Sequence, residues 1–447
     1  MKHYLIISFL LLFGLFISCQ SQRNVTSPQD AQNSIIQSNY QNIKIAKGSA
    51  YTTGPCEPAI AINPKNPKNI VAGSVLDNYH FSNDGGLTWE TKRLTSNLGV
   101  YGDPCIVTDR DGIFYYLHLA NPEGRAYASK KFLNQIVIHR SNDGGKTWNN
   151  GVGIGKNEPK QQDKEWAITD PHTGQIYVTW TEFDKYGSDR EEHKSRIRFS
   201  SSSDKGKTFS EAVTISEFEG NAVDDDQTTE GAVPTVDLDG NLFVSWSFNN
   251  HIYFDKSSDK GQTWMSKDQI IAAQVEGWTH DIPAIGRSNG MPVTVVDLSN
   301  SIYKNTIYVN FTDQRNGTDN TDVFLIKSSD QGETWTKPLK VNQDTTKTHQ
   351  FFTWMSVDPK TGYIYIVYYD RSRYKNNKTD VVLAVSKDGG VSFTNEIISE
   401  KPFTPSSEVF FGDYNNIAVF DGIVRPVWTR YENEELSVWT AIIDTNE

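Results

Sequence analysis

One octapeptide occurs six times in this sequence and decides its fold. It reads SNDGGLTW at residues 82–89, SNDGGKTW at 141–148, SSDKGKTF at 202–209, SSDKGQTW at 257–264, SSDQGETW at 328–335 and SKDGGVSF at 386–393. Successive copies start 59, 61, 55, 71 and 58 residues apart. A turn signature that returns at a nearly constant period indicates a repeat architecture. Its Asp and Gly predict a tight turn, and its last residue, Trp or Phe, is expected to pack between adjacent sheets.

The octapeptide resembles the Asp box of the sialidase-like propellers, also called bacterial neuraminidase repeat proteins. The resemblance covers the chain from about residue 57 to residue 393. It implies an all-β architecture of radial four-stranded blades, in which the boxes are structural. It implies little about the substrate, because this superfamily includes hydrolases, lyases and non-catalytic proteins.

The number of blades follows from the strands rather than from the boxes. Seven second strands are predicted, at residues 69–75, 113–119, 175–183, 241–249, 306–312, 363–369 and 423–429. The last of them is followed by a strand at residues 436–442 that has no box after it, so the seventh sheet lacks a fourth strand. Residues 42–49 could supply that strand by pairing the two ends of the chain. We therefore predict a seven-bladed β-propeller, with a six-bladed sialidase-type propeller as the alternative.

The amino terminus has the features of an export signal. Lys2 precedes an apolar run at residues 5–17 that is short for a bilayer span. The stretch LFISC at residues 15–19 resembles a bacterial lipoprotein cleavage box, which predicts a lipidated Cys19; an ordinary secretory signal is the alternative.

Three segments result from this interpretation. They are a signal peptide at residues 1–18, a flexible tether rich in Ser, Gln and Asn at residues 19–41, and a single propeller domain at residues 42–447. The predicted location is exported, with a lipid anchor in a bacterial cell membrane and the propeller facing the periplasm or the cell surface.

Composition restricts partners and cofactors. Lys and Arg number 43 against 55 Asp and Glu, a net charge of −12 without a basic block, which argues against a nucleic-acid partner. No cofactor-binding motif is present. The acidic run at residues 224–226 could hold a structural calcium ion, although a solvated loop is the expected role. Cys56 and Cys105 are predicted either to form a disulfide or to remain as two buried free thiols.

The resemblance also places the functional site. In such a propeller the loops that lead into the inner strands and the loops that leave the second strands meet at one mouth of the channel, opposite the Asp boxes. Polar side chains on these loops therefore converge. The candidate substrate-binding residues are Arg315, Arg371, Arg373, Arg430, Lys164, Glu165, Glu230, Asp103 and Trp166.

The arginines come from three consecutive blades and could neutralise a carboxylate or a sulfate by bidentate contacts. The alternative is that Asp313 pairs with Arg315, and Asp370 with Arg371, to stiffen the loops. Glu57 and the other acidic residues near the mouth could bind sugar hydroxyls, or bond to neighbouring backbone.

Three residues on these loops are candidate catalytic groups. His280 and His349 have the residue type best suited to carry protons near neutral pH. Tyr414 opens the last inner strand and is predicted to point into the channel as an acid, base or nucleophile. Trp166 and Trp278 could stack on a sugar, or pack between blades.

Three classes of function are compatible with these residues. A sialidase requires an arginine before the first box, whereas residues 54–58 read GPCEP and contain none. Related seven-bladed propellers include lyases of uronic-acid polymers, in which a basic residue neutralises the carboxylate and His or Tyr moves the protons. We therefore predict β-elimination on acidic oligo- or polysaccharides, by a lyase or a dehydratase. A sialidase-type glycosidase and a non-catalytic glycan-binding lipoprotein are the alternatives.

Overall fold

The computed structural model describes residues 38–49 and 54–445. These residues form seven radial β-sheets and one 3-10 helix, Ala126–Ala128. The signal, Cys19 and residues 19–37 of the predicted tether lie outside the described residues, so lipidation stays a prediction. The last four tether residues, 38–41, are described, and the Ser38 hydroxyl donates to the Ile398 carbonyl at 3.2 Å. Within the described part of the chain, no helix is long and apolar enough to cross a membrane.

The blades are numbered I to VII in chain order. The first strand of the chain, β1 (Asn42–Ser49), belongs to blade VII. Blade I contains β2 (Ala59–Ile62), β3 (Ile70–Ser74), β4 (Asn78–Ser82) and β5 (Glu90–Arg93). Blade II contains β6 (Tyr101–Thr108), β7 (Phe114–Leu119), β8 (Ile136–Ser141) and β9 (Val152–Ile154). Blade III contains β10 (Gln161–Thr169), β11 (Ile176–Phe183), β12 (Ser195–Ser202) and β13 (Val213–Thr214).

The remaining blades repeat this order from the channel outward. Blade IV contains β14 (Glu230–Val236), β15 (Leu242–Phe248), β16 (His251–Ser257) and β17 (Gln269–Ala273). Blade V contains β18 (Val293–Val296), β19 (Ile307–Asp313), β20 (Asp322–Ser328) and β21 (Leu339–Lys340). Blade VI contains β22 (Gln350–Val357), β23 (Ile364–Asp370), β24 (Asp380–Ser386) and β25 (Thr394–Ile397). Blade VII contains β26 (Asn416–Phe420), β27 (Ile423–Glu432), β28 (Glu435–Ala441) and β1, with the short β29 (Ile443–Asp444) also on β27.

The two ends of the chain close the ring in blade VII. β1 pairs antiparallel with β28, so that Asn42 lies opposite Ala441 and Ser49 opposite Glu435. This pairing gives blade VII its fourth strand and leaves no gap between first and last blades. The sequence-based prediction of seven blades and of this closure is confirmed.

The Asp boxes are structural turns. In the first box the Asp84 carboxylate accepts from the backbone N–H of Thr88 at 2.9 Å, and the Ser82 hydroxyl accepts from that of Gly86 at 2.9 Å. Gly86 has φ +95°, a conformation that glycine adopts at little cost. The terminal Trp148 of the second box packs edge-on against Tyr79 and Tyr116 at 5.9 Å, which joins blades I and II.

An aromatic layer crosses the channel beneath the mouth. Trp166 lies 4.3 Å from Trp354 and 4.9 Å from Tyr414 between ring centroids. Trp166 and Trp354 also form part of the wall of an apolar lower channel of about 410 Å³, which is lined by inner-strand residues of all seven blades. The mouth cavity described below shares no lining residue with this lower channel.

The predicted disulfide is not formed. Cys56 and Cys105 are both buried and free. Cys56 lines the mouth cavity whereas Cys105 lines the lower channel, so the two thiols face different spaces. Two buried free thiols, the other interpretation of the sequence, describe the molecule.

Candidate active site

A cavity of about 340 Å³ opens at the mouth of the channel, over blades I to III. Its polar and aromatic lining consists of Glu57, Asp103, Asp163, Lys164, Arg287, Tyr101, Tyr127, Tyr186 and Phe410. Carboxyl, ammonium, guanidinium and phenol groups therefore meet within one concave space. Such a space with convergent polar groups is the usual form of a small-ligand site.

A repeated backbone feature supplies three of these side chains. Glu57, Asp103 and Lys164 have φ of 49°, 48° and 52°, in the left-handed region that residues other than glycine rarely adopt. Each lies two residues before regular pairing begins on its inner strand, at Ala59, Cys105 and Trp166. In β6 and β10 the register shifts at this point. Bulges of this kind redirect a side chain, and backbone strain of this kind concentrates at functional sites.

Asp413 links the two cations of the cavity. The Lys164 Nζ atom lies 2.5 Å from Asp413 Oδ2 and 3.3 Å from Asp103 Oδ2. Arg287 donates to both oxygens of Asp413, with Nε 2.8 Å from Oδ1. Burial opposes ionisation of Asp413, but Arg287 and Lys164 outweigh it and hold the pKa of that carboxyl well below its usual range.

A second carboxylate positions Arg287 from the other side. Asp224 Oδ2 accepts from Arg287 Nη1 at 2.8 Å and from the Tyr186 hydroxyl at 2.7 Å. Its other oxygen accepts from Trp278 Nε1 at 2.8 Å. Arg287 Nη1 is also 3.3 Å from the Tyr186 oxygen. Among the described residues, these contacts engage four of the five N–H groups that a guanidinium has, which leaves one for a ligand.

The acidic run at residues 224–226 is therefore a set of loop contacts. Asp226 Oδ1 accepts from the backbone N–H groups of Trp278 and Thr279 at 2.7 and 2.8 Å, which fixes the loop leading into blade V. Among the described residues no three or more His, Cys, Asp and Glu are grouped as metal ligands.

Asp163 is the lining carboxyl with the most favourable pKa for proton transfer. Burial, and next the charge of Asp103, raise the pKa of Asp163 to about 8, although Lys164 opposes this shift. A group with a pKa near the working pH can both accept and donate a proton during turnover. Asp163 and Asp413 thus have pKa values shifted in opposite directions within one network, a pattern typical of acid–base sites.

Buried glutamates surround this network. Burial raises the pKa of Glu57, Glu165 and Glu230 well above the usual range. Glu57 lines the cavity and accepts from the Asp413 backbone N–H at 3.1 Å. Glu230 lies beside Asp224, whose charge further favours its protonated form.

Lys164 and Asp103, which were predicted to bind substrate, line the cavity, as does Glu57. Glu165, Glu230 and Trp166 are buried near it, and Trp166 belongs to the aromatic layer across the channel.

The predicted cluster of arginines does not form. Arg315 makes a bidentate contact with Asp313, its Nε 2.9 Å from both oxygens, and lies 4.3 Å over the Phe324 ring. Arg373 pairs with Asp380 at 3.3 Å, and Arg430 with Glu432 at 3.0 Å. None of these arginines lines the mouth cavity. Each of these arginines contacts a carboxylate that is near it in the chain. For Arg315 and Arg430 that carboxylate is two residues away.

Arg371 neither joins a cluster of arginines at the cavity nor pairs with Asp370, so both interpretations of the sequence are wrong for this residue. Asp370 bonds to Ser372 and Gln350 instead of pairing with it. The Arg371 guanidinium donates to the Pro283 carbonyl at 2.7 Å and the Thr379 hydroxyl at 3.1 Å. It too lies outside the lining of the mouth cavity.

The three predicted catalytic residues are buried and do not line the cavity. Tyr414 is 4 % exposed, and its hydroxyl donates to the Pro104 carbonyl at 3.3 Å within the aromatic layer. Burial lowers the pKa of His280 to about 3 and that of His349 to about 4. After burial, the charge of His349 lowers the pKa of His280, and the charge of Arg371 lowers that of His349.

Sequence reasoning assigned no role to Arg287, Asp163 or Tyr186. Arg287 lies in the loop at residues 274–292, between β17 and β18. The sequence contains one signal of this loop, because the longest spacing between boxes, 71 residues, spans it. Tyr127 and Phe410 were also missed, since neither is charged nor at a strand end.

Comparison with known proteins identifies the fold. No family model matches the sequence, and no curated protein matches it. Among solved structures, a protein of unknown function from Dyadobacter fermentans DSM 18053 aligns at TM-score 0.52 and 14% identity, covering 80% of this chain and 98% of that one. A polysaccharide lyase of family PL25, an ulvan lyase, aligns at TM-score 0.54 and 14% identity, covering 89% and 96%.

The same lyase bound to -[GlcA(1-4)Rha3S]- aligns at TM-score 0.53 and 13% identity, covering 89% of this chain and 96% of that one. A Hadza microbial sialidase, Hz136, aligns at 0.45 and 15% identity, covering 84% and 73%. The solved structures that align with this chain at a TM-score above 0.5 thus include a PL25 ulvan lyase. At such identities the likeness concerns the fold.

Proposed function

We propose that this propeller is a carbohydrate-active enzyme that carries out β-elimination on a uronic-acid residue held in the mouth cavity. The observation that carries the proposal is Asp163, a carboxyl group with a pKa of about 8 in a cavity that also contains Tyr186 and Arg287. These three side chains supply a proton acceptor, a proton donor and a cation, which are the groups that this reaction requires.

Arg287 is the carboxylate contact in this proposal. Its guanidinium is fixed by Asp413 and Asp224, and one N–H group is left for the substrate. When the C5 proton leaves, negative charge develops on the uronate carboxylate, and a cation held in place stabilises it without reorganisation. Lys164, which is fixed by Asp413 and Asp103, adds a second positive charge nearby.

Asp163 and Tyr186 move the protons. The ionised Asp163 carboxylate accepts the C5 proton, the C5–H electron pair forms the C4–C5 double bond, and the C4–O bond breaks. The Tyr186 hydroxyl, which donates to Asp224 in the structure, turns to the departing oxygen and gives it its proton. Burial, Asp163 and Asp224 raise the pKa of Tyr186, which keeps the phenol protonated before the reaction. Arg287, which contacts the Tyr186 oxygen, stabilises the phenolate until Asp163 and solvent restore its proton.

Glycoside hydrolysis is the second candidate, because Asp103 is another carboxyl group in the same cavity. In that reaction the protonated Asp163 would donate to the leaving oxygen, and Asp103 would act as base or nucleophile. A sialidase-type site is less well supported, since Arg315, Arg371 and Arg430 are engaged elsewhere.

Product analysis tests the proposal. The mature protein is incubated with glucuronate- and iduronate-containing oligosaccharides, with and without sulfate, and with sialyl-oligosaccharides. Elimination between sugars gives an ultraviolet-absorbing unsaturated uronate and fragments whose masses sum to that of the substrate. Hydrolysis adds one water to that sum and gives no new absorbance. A hydrolytic product, free sialic acid, or the absence of turnover on the whole set would contradict the proposal.

A further inference from the structure

Large exposed aromatic side chains are concentrated at the mouth cavity. Among the described residues, the large hydrophobic side chains that remain exposed include three aromatic ones: Tyr127 at 70%, Phe410 at 50% and Phe218 at 46%. Tyr127 and Phe410 both line the mouth cavity, whereas Phe218 does not. Two of the three exposed aromatic rings thus flank one polar cavity, where they are accessible to a ligand.

Tyr127 is held in position by other aromatic rings. It follows Ala126, which has φ +45°, in the 3-10 helix of blade II. Its ring packs edge-on against Phe132 at 4.7 Å, and Phe132 packs edge-on against Tyr101 at 4.6 Å. A ring supported in this way loses little freedom when a ligand stacks on it.

Phe410 comes from the loop before the inner strand of blade VII, so it belongs to a different blade. The Arg287 guanidinium lies 5.9 Å from its ring centroid, and half of the side chain remains exposed. Arg287 thus connects this aromatic ring with the charged network beneath it.

The cavity changes character with depth. Its deep part is polar and buried, with Asp163 only 5% exposed, whereas its rim is aromatic and exposed. The deep groups suit the hydroxyls and carboxylate of one sugar. The rim suits the C–H faces of a pyranose, which stack on aromatic rings.

We infer that Tyr127 and Phe410 form a second sugar subsite, which holds the residue adjacent to the one that reacts. The substrate is then at least a disaccharide, and affinity increases from one sugar unit to two. This inference rests on the proposed function, because the reacting sugar occupies the deep part of the cavity.

Binding to ligands of two lengths tests the subsite. Dissociation constants for methyl β-glucuronide and for a glucuronate-containing tetrasaccharide are measured calorimetrically, in an Asp163→Asn background that slows turnover by about a hundredfold or more. Tyr127→Ala and Phe410→Ala are each expected to weaken tetrasaccharide binding about tenfold, a typical value for the loss of one aromatic contact. Binding of the single sugar should be unchanged. Tyr127→Phe should retain tetrasaccharide affinity, and Phe218→Ala is the matched exposed aromatic control.

Each outcome has a defined meaning. Equal losses on both ligands, no loss on either, or a tetrasaccharide that does not bind would overturn the subsite. If unmodified protein eliminates from uronates but Tyr127→Ala binds normally, the subsite fails and the proposed function stands. If no glycan is turned over but Tyr127→Ala weakens tetrasaccharide binding alone, the proposed function fails and the aromatic subsite stands.

Discussion

The two faces of this propeller differ in what repeats from blade to blade. On the Asp-box face both side chains and geometry repeat: in all six boxes an Asp carboxylate accepts from a backbone N–H at 2.8–3.0 Å. At the mouth only the geometry repeats. In five blades the residue two positions before regular inner-strand pairing has a positive φ, and these residues are Glu57, Asp103, Lys164, Gly231 and Phe352.

This difference distinguishes residues with a structural role from residues with a chemical role. A residue type that recurs at equivalent positions has a role common to all blades, which is to close the turn and pack the blades. A backbone position that recurs with different side chains gives each blade a different group at the same mouth. The chemistry is therefore expected where the sequence does not repeat.

The largest effect should come from a mouth residue. Asp163→Asn removes the proton carrier and should lower kcat by about a hundredfold or more, while the protein stays folded. The matched control is Asp255→Asn, because Asp255 is also a largely buried carboxyl with a raised pKa, of about 7, but lies on blade IV outside the mouth cavity. Steady-state kinetics and thermal unfolding of both variants provide the check. Equal activities of the two variants would remove Asp163 from the mechanism.

An Asp-box residue should show the reverse pattern. Trp148→Ala removes a half-buried ring between blades I and II, and we expect the free energy of unfolding to fall by about 3 kcal/mol. Activity per folded molecule should not change. Denaturant unfolding combined with active-site titration distinguishes stability from chemistry. A loss of kcat in folded Trp148→Ala protein would contradict the claim that the Asp-box face is structural and the chemistry occurs at the mouth.

Arg287 and Arg315 offer a direct comparison of two arginines. Both contact an aspartate through two N–H groups, but Arg287 lines the mouth cavity and Arg315 does not. Arg287→Lys should lower kcat/KM by about tenfold or more, since Lys cannot reproduce the fork geometry. Arg315→Lys should leave kcat/KM unchanged. If Arg315→Lys instead had the larger effect on kcat/KM, the substrate carboxylate would bind at Arg315, as the sequence predicted.

The pH dependence reports which form of Asp163 reacts. Its pKa is raised to about 8, so the carboxylate is the minor form at neutral pH. If the carboxylate takes the C5 proton, kcat/KM should increase about tenfold per pH unit and level off above pH 8. If protonated Asp163 donates to a leaving oxygen, as in hydrolysis, kcat/KM should instead decrease above pH 8. A pH–rate profile of unmodified protein decides between them.

The smallest effect concerns the thiols. Because Cys56 and Cys105 are free, adding a reductant should shift the melting temperature of the folded domain by less than about one degree. Thiol titration of protein unfolded without reductant should find both groups reactive. A large loss of stability on reduction would show that a disulfide forms after all.

The sequence could predict more of the Asp-box face than of the mouth, for the same reason. The octapeptide determined the blade repeat because its Asp and Gly requirements are local and identical in every copy. Asp103 and Lys164 line the mouth cavity, and their position depends only on where an inner strand begins. These predictions needed no knowledge of how distant loops pack.

The predictions that differ from the structure all depended on loop packing. Arg315 and Arg430 were expected to converge at the mouth. Each instead contacts a carboxylate two residues away, and this local contact stabilises its own loop or strand. His280 and His349 lie in the expected loops, yet both side chains are buried there. Arg287 could not be found by its distance from a strand end, because the conformation of residues 274–292 brings it to Asp413.

The central claim is that the chemistry occurs in the mouth cavity, between Asp163, Tyr186 and Arg287. A crystal structure of the Asp163→Asn variant with a uronate tetrasaccharide tests it most directly. We expect the C5 atom of one uronate beside residue 163, its carboxylate on Arg287, and the oxygen at C4 within hydrogen-bond distance of the Tyr186 hydroxyl. A tetrasaccharide bound instead beside His280, His349 and Arg371, or in the apolar lower channel, would contradict it.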